Sequence, residues 1–150
     1  MTFLFVSSLV QSIIPVPECQ PSGDLPLLSG IAAGFPSPAT DFSESGLDLN
    51  AYLIRHRAAS FYFSVEGDSM SGAGILDGDK VLVDRAVEPQ HGHIVVAVVN
   101  SEYTLKRLYR RREVLELHAE NPSYSPIRFR EGEELQVWGV VVGVVRKYGA

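Results

Sequence analysis

The chain has 150 residues, enough for one domain, with 45% hydrophobic and 21% charged residues, a composition that rules out a wholly disordered protein. Its net charge is −5, and residues 1–54 hold five acids (Glu18, Asp24, Asp41, Glu44, Asp48) and no lysine or arginine; a DNA-binding head is excluded there, because phosphates are neutralised by cations. Cys19 is the single cysteine, which excludes a disulfide scaffold and fits a reducing compartment.

In chain order, the apolar start at residues 3–14 resembles a signal-peptide core. It lacks a positive flank, since the first basic residue is Arg55, and Pro15 and Pro17 follow at once. It is expected to be mature sequence of a cytoplasmic protein. No apolar run approaches the roughly 18 residues of a membrane helix, so no membrane partner is expected. Residues 1–50 contain Pro15, Pro17, Pro21, Pro26, Pro36 and Pro38. Each proline fixes φ and removes a ladder donor, which predicts an extended arm in place of continuous sheet or helix. That arm should touch a folded body at Leu25, Leu27, Leu28 and Phe35. Gly46 and the spacing of Leu49, Tyr52 and Leu53 predict one short helix within 47–56.

From residue 61 the pattern changes to short β-branched and aromatic runs, at 61–65, 80–83, 94–99, 103–109, 114–117 and 137–145. Turn signals separate them: Asp77-Gly78-Asp79, His91-Gly92, Asn100-Ser101, Asn121-Pro122 and Glu131-Gly132. This predicts a mainly β fold, a compact all-β domain with an extended N-terminal arm. The runs 94–99 and 140–145 are apolar on both faces and should be central or covered strands.

Two features depart from an ordinary β domain. Gly67-Asp68-Ser69-Met70-Ser71-Gly72 follows the strand at 61–65. A serine on a glycine-flanked turn can point its hydroxyl outward beside free backbone N–H groups, the layout of a nucleophile with an oxyanion hole. Neither the Gly-x-Ser-x-Gly elbow nor Ser-x-x-Lys is present, because Ser71 and Gly72 stand where the last Gly and the Lys belong. The second feature is Lys106 in Thr104-Leu105-Lys106-Arg107-Leu108. On a strand, Thr104, Lys106 and Leu108 share one face and Leu105, Arg107 and Tyr109 the other, so one cation points the way of aliphatic neighbours. Burial disfavours the ammonium, and a neutral amine can take the proton from serine. Each feature alone also reads as a turn serine or a snorkelling lysine. A third accompanies them: Ala33 is small enough for a narrow pocket, and Gly34 lets the backbone approach closely.

Gly67-Asp68-Ser69-Met70, Thr104-Leu105-Lys106-Arg107-Leu108, Ala33-Gly34-Phe35-Pro36-Ser37-Pro38-Ala39 and Trp138-Gly139-Val140-Val141 together resemble the UmuD proteins of the LexA-like family of self-cleaving serine proteases, peptidase family S24. The likeness runs from about Ala33 to Val145 with the motifs in order. It implies that Ser69 is the nucleophile, Lys106 the general base and Ala33–Gly34 the cleaved bond, with the backbone N–H groups of Asp68 and Ser69 as oxyanion hole. It implies an arm, 1–33, removed by self-cleavage from a protease domain, 34–150. It implies stimulation by a RecA–single-stranded DNA filament, a homodimer, and service as a subunit of a UmuC-like translesion DNA polymerase in SOS mutagenesis. No cofactor, no metal and no direct sequence-specific DNA binding are expected. Ala33 stands where several UmuD proteins have Cys, and residues 19–24 have no counterpart there.

Weaker signals remain. Arg107, Arg110, Arg111 and Arg112 cluster, with 110–112 expected in a turn; a solvated hairpin tip is the plainer reading, and contact with an acidic partner or DNA the functional one. His56, His91, His93 and His118 show no metal-ligand spacing. Trp138 with Tyr103 and Tyr109 is expected in the core or a dimer interface. A signal-peptidase-like Ser-Lys protease shares the two motifs but needs a membrane anchor. A LexA-like or phage repressor needs a basic head. A non-catalytic polymerase-binding module would have no use for Ser69 and Lys106.

Overall fold

The computed structural model describes residues 14–15, 25–28, 33–35, 43–130 and 132–149, which fall into two units, 17–55 and the remainder. The elements are β1 (Ile14–Pro15), β2 (Leu25–Leu28), β3 (Ser43–Leu47), α1 (Leu49–Leu53), β4 (Ser60–Ser64), β5 (Lys80–Asp84), β6 (Ile94–Val99), β7 (Glu102–Arg111), β8 (Val114–His118), β9 (Ile127–Arg128) and β10 (Gln136–Val145). Single 3-10 turns cover Arg57–Ala59 and Ser71–Ala73. Cys19 and residues 3–13, 31–32 and 36–39 lie outside the described residues.

The larger unit is one antiparallel sheet of eight strands in the order β1-β4-β5-β10-β6-β7-β8-β9. Its mainly β character is as the alternating runs predict. Residues on β6 alternate between two cores. Ile94 and Val96 join Met70, Ile75, Val81 and Val83 on one side. Val95 and Ala97 join Leu108, Leu117 and Val140 on the other. Two covered faces are why this strand is apolar throughout. β10 lies between β5 and β6 and shifts register at Gly139 and Gly143. A Cβ on Gly139 would stand 2.6 Å from Val83 Cγ1, so only glycine lets the two strands approach this closely.

The turns follow the local chemistry. β6 and β7 join through Asn100 and Ser101 at φ 50° and 65°, the doubly left-handed turn that suits a two-residue hairpin. β7 runs two residues beyond the predicted 109, so Arg110 and Arg111 end the strand and only Arg112, at φ 52°, lies in the turn. Cross-strand pairing of Arg110 with Leu115 and Arg111 with Val114 carries the ladder that far.

The 17–55 unit holds more sheet than its prolines predict. β2 pairs antiparallel with β3, and the register slips between Leu25 and Leu27. Pro26 thus occupies a bulge, where its missing N–H costs no ladder bond. Pro15 is tolerated because β1 is a two-residue strand at the sheet edge, paired only with β4. The apolar points Leu25, Leu27 and Phe35, expected to touch a folded body, are exposed, Phe35 at 95%. The helix is shorter than predicted. Asp48 caps it by accepting the Asn50 N–H at 2.9 Å and the Ala51 N–H at 3.3 Å, and Ile54 returns to extended φ and ψ.

Candidate active site

The nucleophile loop leaves the end of β4. The Val65 N–H donates to Asp79 O and the Gly78 N–H donates back to Val65 O, both at 2.8 Å. Gly67 turns the chain at φ 85°, a region that costs glycine nothing, and its N–H donates to Asp77 Oδ1 at 2.7 Å. Three residues later Met70 is buried in the core at 2% exposure. Asp68 and Ser69 are therefore suspended between a fixed turn and a fixed apolar anchor. Neither of their backbone N–H groups has an acceptor among the described residues.

β7 brings Lys106 to this loop. Its Nζ donates to Ser69 Oγ at 3.1 Å, to Thr104 Oγ1 at 3.0 Å and to Leu105 O at 3.0 Å. All of these acceptors are neutral. The side chain is 8% exposed, and burial pulls its amine below the ordinary 10.5 of lysine. Ser69 and Lys106 line a cleft of about 220 Å³ with Val65, Met70, Leu105 and Tyr124 among its other walls. A hydroxyl, a desolvated amine and free N–H groups at one cleft are the parts needed for attack on a carbonyl.

Sequence reasoning missed the residues that hold this loop from outside. Asn121 Nδ2 donates to Asp68 O at 3.0 Å, and Tyr124 Oη donates to Asp68 Oδ1 at 2.6 Å. The bond to the carboxylate raises the Tyr124 hydroxyl above its usual range. The Gly72 N–H donates to Glu120 O at 2.7 Å, and a Cβ on Gly72 would meet that oxygen at 2.5 Å. Glu120 in turn pairs with Arg107, which also donates to Gly92 O at 2.6 Å. The only signal for this layer was Asn121-Pro122, which reads as a turn.

The remaining site residues are placed as follows. Ala33, Gly34 and Phe35 form an exposed bend of the 17–55 unit. Trp138 packs edge-on against Phe61, Phe63 and Tyr103, with Arg85 over its ring. Tyr109 is apart from that group, stacked on His118 and edge-on to His91, because it follows Tyr103 by three pairs of strand positions. Among the described residues no group of three or more His, Cys, Asp or Glu side chains is placed to hold a metal, and no helix is long and apolar enough to cross a membrane.

The sequence profile described as Peptidase S24-like matches residues 26–142, a span that contains the serine loop and the lysine strand. The chain belongs to this peptidase family. Its relatives agree with the UmuD-like, LexA-like membership that the motifs imply. Protein ImpA of Salmonella typhimurium is 44% identical over 133 residues, which cover 85% of this chain and 90% of that one. Protein SamA of Salmonella typhimurium is 45% identical, covering 77% of this chain and 79% of that one. Protein MucA of Escherichia coli is 39% identical, covering 76% and 78%. As a member of the S24 peptidases the chain belongs to a serine protease family.

Proposed function

We propose that the protein is a UmuD-like self-cleaving endopeptidase in which Ser69 attacks the carbonyl of Ala33 and Lys106 moves the protons. The observation that carries this reading is the Lys106 amine, desolvated, without a carboxylate among its hydrogen-bond partners, and 3.1 Å from Ser69 Oγ. When Lys106 is neutral, the Ser69 hydroxyl donates to its lone pair. Oγ bonds to the Ala33 carbonyl carbon while its proton passes to Nζ. The resulting oxyanion accepts from the N–H groups of Asp68 and Ser69. Collapse breaks the Ala33–Gly34 C–N bond, and the Gly34 amine leaves with the proton from Nζ. Water then attacks the Ala33 ester, gives one proton to Nζ, and frees the Ala33 carboxylate as Ser69 regains its hydroxyl. The products are 1–33 and 34–150.

By its resemblance to the UmuD proteins we assign it to SOS mutagenesis in the cytoplasm. A RecA–single-stranded DNA filament would promote cleavage by favouring the conformer with the scissile bond in the cleft or by lowering the Lys106 pKa. The processed chain would then act, as a homodimer, with a UmuC-like translesion polymerase. The test is incubation of the purified chain at alkaline pH, with and without RecA filament, with the fragments weighed by mass spectrometry. Cleavage between Ala33 and Gly34, accelerated by filament and abolished in Ser69→Ala and Lys106→Ala, is expected. Cleavage that persists in either variant would overturn the dyad.

A further inference from the structure

We infer that Asn121 is a positioning residue for the oxyanion hole: by holding the Asp68 carbonyl it aims the Ser69 N–H into the cleft. The inference rests on the proposed roles of Ser69 and Lys106 and extends them. The Asp68 C=O and the Ser69 N–H belong to a single peptide unit, and no peptide bond among the described residues is cis. In a planar trans unit the two groups point in opposite directions, so fixing one aims the other. Asn121 Nδ2 donates to the Asp68 oxygen at 3.0 Å, and the Ser71 N–H reaches the same oxygen at 3.1 Å. The Ser69 N–H, at the opposite edge of that unit, has no acceptor among the described residues.

This peptide turns about ψ of Asp68 and φ of Ser69, and without Asn121 only the Ser71 N–H would oppose that turn from the Asp68 oxygen. Asn121 is itself held, because its Oδ1 accepts the Ser123 N–H at 3.0 Å. Its neighbour Glu120 takes the Gly72 N–H at 2.7 Å. Tyr124 adds a second hold on Asp68 through the carboxylate at 2.6 Å. The loop bearing Ser69 is thus tied on both sides of the nucleophile to residues 120–124. Donors fixed before the reaction need no reorganisation as the oxyanion forms, which is where such groups contribute most.

The test uses the full chain and follows first-order self-cleavage from about pH 7 to 11, the range in which a lysine titrates. Asn121→Asp keeps Oδ1 for the Ser123 N–H, and replaces the donor to Asp68 with a charged acceptor. Asn121→Ala removes the donor without adding charge. Removing an oxyanion donor outright costs about 10²–10³ in rate, so losing its support is expected to lower the alkaline plateau about 10- to 100-fold. The pH midpoint, which reports Lys106, should not move in Asn121→Ala, and thermal unfolding should show both variants folded at the assay temperature. Plateau rates within twofold of the unmodified chain would overturn the inference and leave the dyad standing. So would a loss accounted for by a shifted midpoint or by unfolding. Failure of the folded, unmodified chain to cleave would instead overturn the dyad, and this inference with it.

Discussion

Lys106 and Arg146 are cations that each bond the segment bearing Ser69, at Ser69 Oγ and at Gly74 O, and their surroundings drive them in opposite directions. Arg146, the first residue after β10, donates through Nε to Asp79 Oδ1 and through Nη2 to Asp79 Oδ2, each at 2.6 Å, and through Nη2 to Gly74 O at 2.8 Å. The carboxylate raises its pKa further and keeps it charged at every working pH. Lys106 is less exposed and has hydroxyls and a carbonyl where Arg146 has a carboxylate. Its pKa falls. The difference begins with the groups, since a guanidinium keeps its proton in proteins and a desolvated amine can lose it. The surroundings widen it: Arg146 has a carboxylate to hold its charge, and Lys106 has only neutral acceptors. The two also divide the labour along one segment: Arg146 ties the turn after Ser69 to the sheet, and Lys106 addresses Ser69 itself.

Giving Lys106 the chemistry of Arg146 breaks this contrast most directly. In Lys106→Arg the charge stays and the fold should survive, but a guanidinium does not lose its proton in proteins. Self-cleavage is expected to fall by at least about 10³, the scale on which losing a general base acts, with circular dichroism unchanged. A gentler version gives Lys106 a carboxylate. Thr104 Oγ1 accepts from Nζ at 3.0 Å, so Thr104→Asp would place a negative charge beside the amine. An adjacent opposite charge moves a pKa by about 1–3 units toward the charged form. The rate below the midpoint should drop about tenfold per unit, because a unit is tenfold in the neutral fraction. The midpoint of the pH–rate profile should move to higher pH, and a profile that stays in place would show that Lys106 does not set it.

How far this contrast could be read from sequence differs between its halves. The strands at 94–99, 114–117 and 137–145 are legible because their alternation and two-faced apolarity are local. Ser69 and Lys106 are legible for a related reason: a serine on a Gly67 turn and a lysine among Thr104, Leu105 and Leu108 each break a local rule. Their meeting at 3.1 Å comes from the sheet, which is not local. Pairing of Arg146 with Asp79 spans 67 residues and breaks no rule at either end, since both residues sit at the edges of strands where charges are ordinary. Asn121 and Tyr124 reach Asp68 across more than 50 residues, and their segment carries only a turn signal. The sheet within 17–55 was hidden by Pro26, because a proline argues against a strand until the bulge that accommodates it is known.

Asp79→Asn tests the other half of the comparison, and its smallest effect should be on the chemistry. The Arg146 guanidinium, helped by the Leu76 N–H at 2.8 Å, holds the Asp79 carboxyl at about 2 against an ordinary 3.8. A carboxyl whose folded pKa lies below its unfolded one binds its proton more readily when unfolded, so folding gains from the ionised form. That gain is fully present above about pH 4 and disappears as pH falls through about 2. Asn at 79 resembles the protonated acid in shape but never carries the charge. Urea unfolding at neutral pH should therefore show a lower midpoint for Asp79→Asn than for the unmodified chain. The two midpoints should converge as the pH is lowered from about 4 toward 2. Arg146 is the partner lost in this variant and Lys106 keeps all of its own contacts, so the midpoint of the pH–rate profile for self-cleavage should stay where it is. Movement of that midpoint would mean that the structural cation and the chemical one are coupled through the loop they share.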